Sequence, residues 1–107
     1  MHTIILERFT QKYYDDINGI IDYIADEKKN PKAALSLLDK FEDAIRKRTP
    51  IADSFQSFNS SRDRELPYYK INVANYYIFY VIINEKDKDI VEYRRVLNNK
   101  MDWEQII

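Results

Sequence analysis

The chain has 107 residues, 45 % of them hydrophobic and 33 % charged, and this composition predicts one soluble globular domain and excludes a disordered tail. It has no cysteine and a single histidine, His2, which we expect in a frayed terminus, so we predict no disulfide, no metal and no cofactor. The net charge of -1 gives no support for general nucleic-acid affinity, so any basic site must be local.

The sequence shows neither a membrane-spanning segment nor a signal peptide. No apolar stretch approaches the roughly 20 residues that span a bilayer. The amino terminus, MHTIILERFT, lacks the pattern of a cleavable signal peptide. We therefore expect a cytoplasmic protein.

The first predicted elements are a strand and a helix. Residues 3 to 9, TIILERF, are rich in β-branched and apolar side chains, which favours a strand. Thr10 is the predicted cap of a helix over residues 11 to 29. Gly19, the only glycine, lies inside that helix at a cost of about 1 kcal/mol relative to alanine, so we expect close packing there. The apolar side chains of the helix recur at helical spacing: Tyr13, Ile17, Ile20, Ile21 and Ile24.

A second helix is predicted from Pro31, with Asn30 as its cap, to a point just before Pro50. The basic run Arg46, Lys47 and Arg48 complements the negative end of the helix dipole, which explains the run better than a binding patch does. The two helices are predicted to form an antiparallel hairpin. The buried stripe of the second helix is predicted to be Ala34, Leu37, Leu38, Phe41, Ala44 and Ile45.

Three strands are predicted in the second half of the chain. Residues 51 to 64 have no sustained period and predict a loop with at most one short helical turn. ELPYYKINV predicts a strand after Pro67, and YYIFYVII, apolar on both faces, predicts a central strand. Between them lies a tight turn in which Asn75 is expected to take a positive φ. Residues 89 to 97 predict the last strand, and MDWEQII is a short tail that Trp103 is expected to pin to the domain.

The element order is strand, helix, helix, strand, strand, strand, and it specifies an α+β fold. Residues 1–107 are predicted to form a single domain. In it, the antiparallel helical hairpin packs on one curved and mainly antiparallel sheet, whose last three strands form an antiparallel meander.

Three segments, NPKAALSLLDKFEDAI, YYKINVANYYIFYVI and IVEYRRVLNNKMDW, resemble in this order the RelE/ParE superfamily of toxins from bacterial type II toxin–antitoxin modules. The superfamily includes proteins often labelled plasmid stabilisation factors, and the resemblance covers nearly the whole chain. It implies a RelE/ParE-like fold and a cognate antitoxin protein as partner. A disordered antitoxin tail would fold along the helix hairpin or add a strand to the sheet edge, for which the exposed first strand is a natural place.

The resemblance leaves two activities open. RelE-like members are ribosome-dependent nucleases that cut messenger RNA, whereas ParE-like members inhibit DNA gyrase. Metal-free RNA cleavage needs a base, an acid and cations that stabilise the phosphate. In the family pattern arginine is usual at the position of Tyr77, an upstream arginine aligns with Tyr69, and some nucleases have histidine at the position of Asn98. The nuclease pattern is therefore incomplete.

The remaining candidate residues fall into two groups. If the chain is a nuclease, the resemblance and the residue types assign catalytic roles to Lys70, Tyr93, Arg95 and Lys100. Candidate binding residues are Arg94, Tyr77 and Trp103. The tyrosines of the sheet have two interpretations, stacking on bases or filling half-buried sheet faces, and the second is favoured.

Strand geometry bears on the two arginines, because successive side chains of a strand point to opposite faces. We therefore expect Arg94 and Arg95 on different surfaces. In a purely structural interpretation Arg94 pairs with Glu92, and Arg95 lays its stem over the sheet with its head in water. In a functional interpretation one arginine projects with Lys70 into the concave face of the sheet and meets nucleic acid or an acidic antitoxin segment.

The leading hypothesis is a ParE-like growth inhibitor that poisons DNA gyrase and is neutralised by a cognate antitoxin. The alternatives are a RelE-like messenger-RNA endonuclease acting on the ribosome, and a degenerate family member without toxicity, which fits the nearly neutral charge. Whether the chain is an enzyme stays open at this point.

Overall fold

A computed structural model describes residues 4–62 and 65–107, so His2 and Thr3, for which we predicted a frayed end and a strand start, lie outside the described residues. The elements in chain order are β1 (Ile4–Phe9), α1 (Gln11–Asp22), a π-helical turn (Tyr23–Glu27), α2 (Pro31–Arg48), a 3-10 helix (Thr49–Ser54), β2 (Tyr69–Val73), β3 (Tyr76–Asn84), β4 (Lys88–Asn98) and a short 3-10 turn (Trp103–Gln105).

The strands form a sheet of order β1-β4-β3-β2. β2, β3 and β4 are antiparallel neighbours, as predicted for the meander, while β1 pairs in parallel with β4. The α+β fold with a helical hairpin is confirmed. The apolar β3 lies inside the sheet, and β1 forms one edge, so the first strand is exposed as expected.

Both predicted helix caps are present. The Thr10 hydroxyl accepts a hydrogen bond from the backbone N–H of Tyr13 at 3.2 Å, and the side-chain oxygen of Asn30 accepts one from Ala33 at 3.1 Å. The first helix was predicted to continue as an α-helix to residue 29, which is wrong. It widens into the π-helical turn after Asp22, and the chain then reverses through Lys29 at a φ of 51°.

Two predictions about backbone positions are also wrong. A Cβ added at Gly19 would meet no atom within 4 Å, so this glycine faces open space and no close approach requires it. In the turn between β2 and β3 the positive φ, 53°, belongs to Ala74 and not to Asn75. A positive φ at the first of the two turn residues is the pattern of a type II′ turn. Our prediction placed the positive φ at Asn75, because asparagine tolerates this conformation better than most residues do.

The sheet buries apolar side chains on both faces. On the helix face, the hairpin residues Tyr13, Ile17, Leu37, Phe41 and Ile45 pack on Ile78, Tyr80, Val91, Tyr93 and Val96 of the sheet. The opposite face, called the second face here, is built around Tyr68, Phe79, Val81 and Leu97. The tail covers part of it, because the Trp103 ring lies 5.3 Å from the ring of Phe79 and 5.5 Å from that of Phe58. The prediction that Trp103 pins the tail is confirmed.

Candidate functional site on the second face

Lys70 of β2 points to the second face, because it lies opposite Phe79 in the sheet register. Its ammonium group sits over three aromatic rings, at 5.0 Å from the centre of Trp103, 5.1 Å from Tyr77 and 5.5 Å from Phe58. Cation–π attraction therefore holds the charge at the wall of a cavity of about 450 Å³. Of the candidate residues, the structure thus brings Lys70, Tyr77 and Trp103 together.

A bulge in β4 determines where the two arginines point. Phe79 pairs with Arg95 and Tyr80 with Tyr93, so Arg94 is an extra residue on the bulged strand. The extra residue resets the alternation of side chains, and Arg94 and Arg95 both line one cavity on the second face. The prediction that they occupy different surfaces is wrong, because regular alternation fails at a bulge.

Arg94 is held by Glu92 and Tyr68. Its Nε donates to Glu92 Oε1 at 2.7 Å, as the structural interpretation predicted, and its Nη1 donates to the Tyr68 hydroxyl at 3.0 Å. Glu92 Oε2 accepts a further hydrogen bond from Arg8 Nε at 2.7 Å. Burial alone would raise the pKa of Glu92, but the hydrogen bonds and charges of Arg94 and Arg8 outweigh it and hold this pKa below its usual value.

Arg95 is paired with a carboxylate of α1. Its Nε and Nη2 donate to the two oxygens of Asp16 at 2.8 and 3.1 Å, and only 22 % of its side chain is exposed. Asp16 also accepts the backbone N–H of Val96 at 2.8 Å. The prediction that the head of Arg95 lies in water is therefore wrong. Pairing between β1 and β4 ends at Phe9 and Tyr93, and beyond that point Asp16 of α1 bonds the backbone of β4 at Val96.

The remaining nuclease candidates lie elsewhere. Tyr93 is fully buried on the helix face, with its hydroxyl 2.8 Å from Thr49 Oγ1, and burial raises its pKa far above the usual value. Lys100 is exposed in the turn after β4, where its backbone N–H donates to Asn98 Oδ1 at 2.9 Å. The structure therefore brings neither Tyr93 nor Lys100 to Lys70 or Arg95. Lys70 and Arg95 themselves line two different cavities of the second face, so the expected joint site of Lys70 and an arginine is not formed.

Sequence reasoning missed Asp16 and Thr49. Asp16 binds a residue 79 positions further along the chain, and no local pattern indicates such a pair. Thr49 follows α2 and its hydroxyl bonds Glu7 at 2.5 Å and the carbonyl of Ile45 at 2.9 Å, in addition to Tyr93. The basic residues before Thr49 and Pro50 after it predict where α2 ends. They do not predict which groups the Thr49 hydroxyl contacts.

In the part of the chain that the structure describes, no group of three or more His, Asp or Glu side chains is placed to hold a metal ion. Within the same residues, no helix has the length and apolar character needed to cross a bilayer.

Of three comparisons with known proteins, two give matches and one gives none. The sequence profile of the family described as "ParE toxin of type II toxin-antitoxin system, parDE" matches residues 8–103. No curated protein matches the sequence. Among solved structures, the chain is similar to one titled "Chromosomal ParDE TA system from P. aeruginosa", with a TM-score of 0.64 and 12 % identity, covering 89 % of this chain and 96 % of that one. At this identity the structural likeness concerns the fold.

Proposed function

Because this chain belongs to the ParE toxin family of type II toxin–antitoxin systems, we propose that it arrests growth by poisoning DNA gyrase and that a cognate antitoxin neutralises it. The observation that supports gyrase over messenger RNA is the position of Tyr93. A buried tyrosine whose hydroxyl is bonded to Thr49 is out of reach of a scissile phosphate, and its raised pKa disfavours proton transfer.

The cations of the second face do not restore the nuclease pattern. Two carboxylate oxygens of Asp16 engage Arg95, and three rings surround Lys70. Tyr77 stands where the family's guanidinium would be, and it packs at 5.8 Å from Trp103 instead of presenting a charge. These contacts leave the second face suited to binding an acidic surface without an evident base for chemistry.

Induced expression of the chain without its antitoxin tests the proposal. We expect growth arrest with a DNA-damage response, intact messages by primer extension, and gyrase-dependent DNA cleavage with the purified chain. Cuts within translated codons would instead identify a RelE-like nuclease. Normal growth at verified expression would identify the non-toxic alternative. The antitoxin itself is expected in an adjacent gene that encodes a DNA-binding amino half and a charged, helix-prone tail.

The contribution of the second face is tested by Lys70→Gln and Arg95→Gln, alone and combined. We expect the double variant to weaken growth arrest at equal expression, because it removes two charges from one face. Thermal melting must show that each variant is folded, since Arg95 also anchors Asp16. Lys40→Gln, an exposed position on α2, is the matched charge control. Full toxicity of the folded double variant would remove Lys70 and Arg95 from the site.

A further inference from the structure

A basic cavity of about 530 Å³ lies beside the β4 bulge on the second face. Four cationic side chains line it, and they come from α1, from the loop before β2 and from the bulge itself: Lys12, Arg62, Arg94 and Arg95. Tyr68 and Ile106 add apolar walls. None of the described residues that line the cavity is acidic. This local excess of positive charge contrasts with the net charge of -1 of the whole chain.

Two of the cations are held in fixed orientations by carboxylates outside the lining. Asp16 binds one side of the Arg95 guanidinium through Nε and Nη2, and Glu92 binds Arg94 through Nε. Each arginine side chain is 22 % exposed and lines the cavity. Side chains ordered in advance lose less conformational entropy when a ligand binds.

The other two cations are exposed. Among the described residues, neither Lys12 nor Arg62 forms an ion pair with a carboxylate. Their charges are therefore not matched by a carboxylate within the described structure, in contrast to those of Arg94 and Arg95. Among the described lining residues, charge is least balanced at Lys12 and Arg62, and an anion would gain most there.

We propose that this cavity binds the phosphate group of a phosphate ester. Guanidinium groups present paired N–H donors that match phosphate oxygens, and fixed arginines make such contacts specific. The volume lies within the range of small-molecule sites, and the Tyr68 wall offers an apolar surface beside the charges. A free nucleotide and the backbone of a single-stranded nucleic acid present the same chemical group, and both fit this description.

Isothermal titration of the purified full chain with ATP, and separately with a short oligothymidylate, tests the proposal. Binding of at least one probe is expected, with an affinity that falls as potassium chloride is raised. Arg62→Gln and Lys12→Gln should each weaken binding about tenfold, because each removes one charge-assisted contact. Both residues are exposed, so we expect both variants to fold, and circular dichroism checks this. Lys40→Gln on α2 carries the same charge change away from the cavity and should bind like the unaltered chain.

Loss confined to the two cavity variants supports the site, and the probe that binds identifies its source as free nucleotide or nucleic acid. No binding of either probe at millimolar concentration would overturn the proposal. Equal affinities in the cavity variants and in Lys40→Gln would overturn it as well, because binding would then be general charge attraction. Gyrase and antitoxin are absent from the titration, so its failure leaves the proposed toxicity untouched.

Discussion

Asp16 carries three hydrogen bonds that join α1 to the edge of β4. It accepts two from the guanidinium of Arg95 and one from the backbone of Val96, and its side chain is only 15 % exposed. A partly buried carboxylate that pairs with a guanidinium and also accepts a backbone N–H contributes more to the free energy of unfolding than an exposed ion pair does. Asp16 thereby fixes α1 on the sheet and orients Arg95 on the second face.

We predict that Asp16→Asn lowers the free energy of unfolding by about 1–3 kcal/mol, because it weakens charge-assisted hydrogen bonds in a partly buried position. Urea denaturation followed by circular dichroism measures this. Asp15→Asn is the matched control, since Asp15 is exposed on the same helix and, within the described part of the chain, its side chain accepts a hydrogen bond from Gln11 alone. Equal stabilities of the two variants would contradict the role given to Asp16.

We predict that the free energy of unfolding falls at acid pH because Glu92 becomes protonated. Its pKa in the folded chain is held below the unfolded value, so its contribution is fully present above the unfolded pKa and is lost as pH falls through the folded pKa. We expect the free energy of unfolding to fall from about pH 5 towards about pH 3, and Glu92→Gln to flatten this fall. Urea denaturation over that range measures the slope, and Glu27→Gln, exposed in the π-helical turn, is the control. Parallel curves for the unaltered chain and Glu92→Gln would refute the prediction.

At the scale of elements, α1 contains a position that weakens it for no packing reason. Gly19 lies in the last turns of this helix, and a Cβ there would meet nothing within 4 Å. We predict that Gly19→Ala raises the free energy of unfolding by about 0.5–1 kcal/mol, because alanine reduces the backbone freedom of the unfolded chain. Thermal melting measures the gain, with Ser36→Ala on the exposed side of α2 as a control of smaller effect. A loss of stability would show that the added methyl group meets an obstacle.

Local signals account for what the sequence predicted about these elements. Thr10, Asn30 and Pro31 act within a few residues of themselves, so the helix starts were predictable from short patterns. The β4 bulge depends on how β3 and β4 align. The pattern of residues around Arg94 in the sequence does not indicate where this bulge lies. The candidate site was therefore predictable in its residue types, Lys70 and the arginines, and not in its geometry.

At the scale of the whole molecule, exposed apolar side chains occur on both surfaces that we considered for the antitoxin, the edge strand β1 and the helical hairpin. Ile4, Ile5 and Leu6 of the edge strand are 62 %, 43 % and 43 % exposed, and Leu35 on α2 is 62 % exposed. An edge strand with apolar side chains is a template for pairing with a further strand. We favour β1 over the hairpin as the place where the antitoxin adds its tail.

We predict that Ile5→Asp weakens binding of the cognate antitoxin at least tenfold, whereas Leu35→Asp changes it little. Surface plasmon resonance with the antitoxin as ligand measures both, and circular dichroism checks that the toxin variants are folded. The opposite order of effects would place the antitoxin on the helical hairpin.

The parallel pairing of β1 with β4 joins Ile4 to Lys88 and Phe9 to Tyr93. During translation, β1 must wait for a neighbour that lies 84 positions further along the chain before the two strands can pair. Contacts so distant in sequence slow folding, and until then the aliphatic β1 is unpaired. An antitoxin tail that captured this strand during synthesis would meet the toxin before the toxin was complete, and the order of the two genes would then set how much active protein ever forms.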